Sequence, residues 1–260
     1  MMNVFGLHAP ELETFFLVFV RCTTIVSVLP VFGAAQIPIM VRVALGFFIS
    51  FVVFKTLPVI HPFSSLDQFA FAVLSQVVVG VMFGFVCQLV FVGVQFAGEI
   101  IDIQIGFAVA NVINPQTQQQ VTIIGELELA LATLIFLVTD SHLTYFEGIG
   151  GSFNLLPLPW ITLSQGALGS IVLFFAQSLL IVFKIAAPAA IALFLVNLGI
   201  AFLARVAPQM NVFVVGFPVQ IMVGLFMLML GLPLLGYALP SLFGQVPRQL
   251  DTLMRSLAPG

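Results

Sequence analysis

The chain has 260 residues, of which 61% are hydrophobic and 7% charged, with a formal net charge of −3 and a mean hydropathy of +1.24. A soluble domain carries roughly 25% charged residues, so this composition excludes a water-covered globule and points to an integral membrane-type protein. The slightly acidic balance leaves no basic patch for nucleic acid.

Apolar segments run at 14–34, 39–60, 68–97, 121–139, 166–204 and 210–243. Each is near or above the roughly 20 residues that cross a bilayer as a helix. None alternates with the period of two that a membrane barrel requires. The predicted fold is therefore all-α, with about six long hydrophobic helical segments. Glu11 and Glu13 precede any Lys or Arg, so the basic start of a cleavable signal is missing and the first segment is expected to stay. That segment contains Arg21. The second holds Arg42 and Lys55 near its ends, where long side chains can snorkel. Cys22 and Cys87 sit in apolar runs and read as small buried hydrophobes.

The third segment carries Gln88, Gln95, Glu99 and Asp102, spaced seven, four and three apart. At 100° per residue they share one narrow face. Three readings stand: carboxylates solvated where the helix leaves the membrane, an inter-helix or inter-subunit contact or hydrated wall, or a proton relay, which needs a buried partner the sequence does not identify. Gly80 and Gly84 form a GxxxG that could admit a close helix. The run after Asp102 is mostly apolar yet carries Gly106, Asn111, Asn114 and Pro115, then a Gln run at 118–120. Such a mixture suits backbone packed inside protein or lining a cavity.

The fourth segment opens with Glu126 and Glu128, and residues 140–165 read as a long connector with Trp160 as an interface anchor. The fifth holds Lys184, one turn before Pro188, which should kink the helix. A charge at mid-bilayer costs at least about 2.5 kcal/mol, so Lys184 predicts an ion pair within an assembly in preference to the alternative, substrate binding. The short connector 205–211 predicts an antiparallel hairpin of segments five and six. The tail after Gly244, with Arg248, Asp251 and Arg255 at helical spacing, predicts a short surface helix. The Lys and Arg distribution gives no usable topology signal.

His8, His61 and His142 are scattered, and no Cys or His pair has metal-ligand spacing. No phosphate-cradling loop or Gly-x-Ser-x-Gly turn occurs. No catalytic residue, metal ligand or cofactor is predicted, and the chain does not read as an enzyme.

Three stretches together resemble one family. They are Gly98 to Ala108 continuing to Asn114-Pro115, Ser152-Phe153 with Leu156-Pro157, and Arg205-Val-Ala-Pro208-Gln209-Met-Asn211 through Gly216-Phe217-Pro218. Arg21 and Pro30-Val-Phe-Gly33 with Pro38 agree with them. The chain resembles the FliR/SctT export-gate family along essentially its whole length, on the flagellar (FliR) side by its Gly216-Phe217-Pro218. Gln220 stands where many members carry Lys.

The resemblance implies a subunit that assembles with several copies of FliP and FliQ homologues into a pore. Unfolded flagellar subunits pass through that pore in the bacterial inner membrane, within the flagellar basal body, part of it on the periplasmic side. FlhB and FlhA are implied as neighbours. It implies a FliP-like part at 1–160, a FliQ-like hairpin at 161–243 and a polar tail at 244–260. It also implies a pore plug near 106–120, carried by Gly106, Phe107, Ala108, Val109, Asn111, Val112, Ile113, Asn114 and Pro115. Gln95, Glu99, Asp102, Lys184 and Arg205 are the candidate assembly residues. The alternatives are the injectisome (SctT) counterpart and a secondary transporter with a broken helix at 98–120. A transporter should show two related halves, and no internal repeat is visible.

Overall fold

The computed structural model describes residues 9–60, 62–107, 122–160 and 165–258. Among these, eight helices account for the regular structure and no strand occurs: α1 (Ala9–Val28), α2 (Ile39–Phe54), α3 (Leu66–Ile105), α4 (Ile123–Val138), α5 (Ser141–Leu155), α6 (Gln165–Val206), α7 (Val212–Phe243) and α8 (Val246–Leu257). The chain is all-α, as the hydropathy pattern requires. Three stretches are long and apolar enough to cross a membrane: Leu66–Ile105, Gly166–Val206 and Val214–Leu257. Helices α2 and α4 have 16 residues each. At 1.5 Å per residue they reach about 24 Å, short of the roughly 30 Å hydrocarbon core. Length and composition together mark these three among the described residues; α1 has 20 residues but carries Glu11, Glu13 and Arg21.

Residues 140–155 correct the connector reading. The Gly-rich Ser141–Leu155 is helical because Tyr145, Ile149 and Phe153 recur every four residues and bury one face. Local composition favoured a loop; the apolar stripe overrides it.

The chain forms two compact units. The first comprises Met1–Leu89, Asp140–Phe175 and Gly244–Gly260. Here α1 and α2 pack together. A Cβ on Gly80 would lie 2.6 Å from Thr24 Cβ, and one on Gly84 2.5 Å from Val28 Cβ. The GxxxG of α3 is thus the seat of α1. Arg21, fully buried on α1, donates from Nε to Gln76 Oε1 (2.7 Å) and from Nη1 to the carbonyls of Ser152 (3.2 Å) and Leu156 (3.0 Å). Its guanidinium lies 4.2 Å from the Phe153 ring centroid. Backbone carbonyls, an amide and a ring offset the desolvation of this charge. Arg42 donates to the carbonyls of Ala34 and Ile37, so it caps the preceding turn. Helix α8 buries Val246, Leu250, Leu253, Met254 and Leu257 and packs on α5. Its outer face carries the exposed Arg255–Asp251 pair at 2.8 Å, whose solvated setting gives it little weight.

The second unit comprises Val90–Thr139 and Ala176–Phe243. Phe91, Phe136 and Phe243 form a triangle with centroids 5.1–5.2 Å apart. In this unit α6 and α7 run antiparallel. Ile200 faces Gly216, Asn197 bonds Gln220, and Leu193 faces Gly224, so one number falls as the other rises by about one turn.

Candidate functional site

Several polar residues of the second unit converge where α3 ends and α4 begins. Helix α4 starts after Thr122, whose side chain makes no capping hydrogen bond. The first amides of a helix have no partner within it. Asp102, on the last turn of α3 and 3% exposed, supplies the acceptors instead. Ile124 N–H donates to its Oδ1 (3.0 Å) and Oδ2 (3.1 Å), and Gly125 N–H donates to Oδ2 (3.1 Å). These are the second and third helical positions, which an N-cap side chain normally serves. The carboxylate also faces the positive end of the α4 dipole.

Two glycines allow the approach. A Cβ on Gly98 would lie 2.6 Å from Gly125 Cα, and one on Gly125 would lie 3.0 Å from the Gln95 carbonyl oxygen and 3.1 Å from Glu99 Cγ. Helices α3 and α4 therefore meet backbone to backbone. Gly98 provides the clearance and Asp102, one turn on, provides the bond.

Helix α3 closes with Gly106 at φ +93°, the left-handed conformation that glycine adopts at no steric cost. Both Gly106 and Phe107 N–H donate to the Asp102 carbonyl at 3.1 Å. Phe107 packs against a buried cluster of Ile101, Ile105, Ile124, Ala189, Leu193 and Leu228. A row of amides lies alongside: Asn197 Nδ2 donates to Gln104 Oε1 (3.4 Å), and Gln220 Nε2 donates to Asn197 Oδ1 in a short bond. Gln220 takes part as a neutral amide, so no charge is needed at that position.

Of the sequence-predicted residues, Gln95, Glu99 and Asp102 do share a face of α3. Gln88 is exposed, Gln95 and Glu99 are half-buried, and Asp102 is buried. Lys184 and Arg205 lie exposed on α6, and neither makes a hydrogen bond or ion pair among the described residues. Gly106 and Phe107 are placed as above. Ala108, Val109, Asn111, Val112, Ile113, Asn114 and Pro115 lie outside the described residues.

Sequence reasoning missed the burial of Glu128, the Gly98–Gly125 crossing and the amide row. The signal for Glu128 was present. Ile124, Glu128, Ala132 and Phe136 recur every four residues, and all four are buried. Glu128 is 2% exposed. Helix α4 is too short to cross a bilayer, and there burial, with the Asp102 charge as a lesser cause, pushes the Glu128 carboxyl up to about 7. Among the described residues no group of His, Cys, Asp and Glu could hold a metal ion.

Comparison with known proteins bears on this arrangement. A family model described as bacterial export proteins, family 1, matches residues 12–246. A flagellar biosynthetic protein FliR of Bacillus subtilis is 33% identical over 218 residues, 82% of this chain and 84% of that protein. The FliR of Pectobacterium carotovorum is 33% identical over 251 residues, 94% of each chain. A Yop proteins translocation protein T of Yersinia pestis is 30% identical over 164 residues, 62% of this chain and 63% of that one.

Proposed function

The chain belongs to the bacterial export proteins of family 1, and from that premise we propose how it works as a component of a flagellar type III export gate. Membership along this length, with FliR relatives covering 94% of the chain, makes it an export-apparatus membrane protein of a family not known for enzymes. Our reading is that it assembles with several copies of FliP-like and FliQ-like proteins around a pore for unfolded flagellar subunits. FlhB-like and FlhA-like proteins would be its neighbours, in the bacterial inner membrane. Residues 1–160 would act as the FliP-like part and 161–243 as the FliQ-like hairpin.

Within that gate we assign the pore plug to residues 106–120. A resting gate must stop ions and small solutes and still yield to a polypeptide. Apolar side chains such as Phe107, Val109, Val112 and Ile113 can stop water and ions by dewetting a narrow path. The observation that carries this reading is the double role of Asp102. Its carbonyl takes the Gly106 and Phe107 amides and its carboxylate takes the first amides of α4. One residue therefore ties down the chain on both sides of 108–121.

The assembly is tested by tagging this chain and purifying it from cells that also make the FliP-like and FliQ-like proteins. Both should co-purify with it in mild detergent, and export should fail without it. A stable, monodisperse chain that purifies alone and leaves them behind would overturn the proposal.

A further inference from the structure

Glu128 has no part in the plug corner, yet it is the carboxylate with the least evident reason to be where it is. It sits in the middle of the buried stripe of α4, and its Oε2 is sealed from solvent with no hydrogen-bond partner among the described residues. Beside it lies a cavity of about 110 Å³, otherwise lined by apolar residues that include Ile101 of α3, Pro188 of α6 and Leu228 and Leu235 of α7. At about 30 Å³ per water the space holds about four molecules.

We propose that Glu128 is a proton-binding site, occupied in this packing, and that the cavity is where water enters when the proton leaves. An ionised carboxylate with a bare oxygen among apolar groups is expensive, whereas the neutral acid asks for much less. A metal ion does not fit: hard cations need several oxygen ligands, and among the described residues Glu128 is the one ionisable side chain on the cavity wall. An ammonium from outside does not fit this packing either, because Oε2 is closed to solvent.

The charged groups of the surrounding elements agree. Helix α3 brings Asp102 and Glu99, both acidic, and α4 itself brings Glu126. Helix α6 brings Lys184, which is exposed, and α7 has Tyr237 as its one titratable residue, also exposed. The positive end of α4 is already engaged by Asp102, and a helix dipole fades beyond the first turn. Among the described residues nothing near Glu128 favours its anion.

The folded carboxyl holds its proton to about 7 against an ordinary value of 4.5. The proton's contribution to stability is complete below the unfolded value. It is lost as pH rises through that of the folded protein.

The test uses the full chain with whatever proteins purify with it, so it does not depend on the gate reading. Unfolding midpoints of wild type and Glu128→Gln are compared from about pH 4 to about pH 9. Wild type should fall relative to Glu128→Gln across the interval from about 4.5 to about 7, and the difference should level off above it. The infrared carboxylic-acid band should persist in wild type at about pH 6, where ordinary carboxyls are ionised, and be missing in Glu128→Gln. If Glu128→Gln does not fold, that band in wild type, shifted in its titration by Glu128→Asp, decides alone. Parallel midpoints, or no acid band at about pH 6, would overturn the proposal. Loss of a partner chain in Glu128→Gln with the wild-type group ionised throughout would overturn it in favour of an ion pair between subunits.

Discussion

A carboxylate that is 3% exposed persists at Asp102 because two amides that α4 cannot satisfy are aimed at it. Each partner removes a cost from the other. Asp102→Leu leaves both amides without an acceptor, and the expected loss is about 1–3 kcal/mol. Asp102→Asn keeps one acceptor oxygen, so it should lose less. Thermal unfolding of the purified assembly measures both. Equal losses would place the role in the charge, and no loss in the Leu variant would remove the cap. The spacing of Gln95, Glu99 and Asp102 made a shared face legible in the sequence. The cap itself was not legible, because its donors lie 22 and 23 residues further on and Thr122 is the obvious local candidate. Arg21 was legible as an internal charge, but the carbonyls of Ser152 and Leu156 that hold it come from a stretch with the composition of a loop.

Among the elements, α3 and α4 depend on a crossing that side chains would prevent. A methyl at Gly98 meets backbone 2.6 Å away, at Gly125 Cα, and backbone yields poorly. Gly98→Ala should therefore cost about 1–3 kcal/mol through overpacking. Gly150, inside α5, has nothing within 4 Å of the same position. There the substitution should leave stability unchanged or raise it by up to about 1 kcal/mol through helix propensity. Melting curves of the two variants should move in opposite directions or differ clearly, and equal shifts would refute the close crossing. Long apolar runs announced α3, α6 and α7. Helix α5 stayed hidden because glycines and serines dilute its stripe, and the shortness of α2 and α4 became visible only once their ends were placed.

For the whole molecule, the distribution of exposed apolar surface is the decisive fact. The most apolar part of Leu66–Ile105 is 61% buried, but those of Gly166–Val206 and Val214–Leu257 are 22% and 17% buried. Phe183, Phe194, Phe202, Met222, Phe226 and Met229 are each more than half exposed. A surface of this extent is covered by lipid or by other chains, and Lys184 and Arg205 stand on it without partners among the described residues. Hydropathy made the membrane character legible. What covers which face was not legible, because lipid and a neighbouring helix ask for the same side chains.

The measurement that bears most directly on the gate is the leak of small solutes or ions through membranes holding the assembled complex, with residues 108–116 deleted. Our account expects the complex to assemble with its Asp102 corner in place and the membrane to become leaky relative to wild type. Assembled deletion complexes as tight as wild type would contradict it.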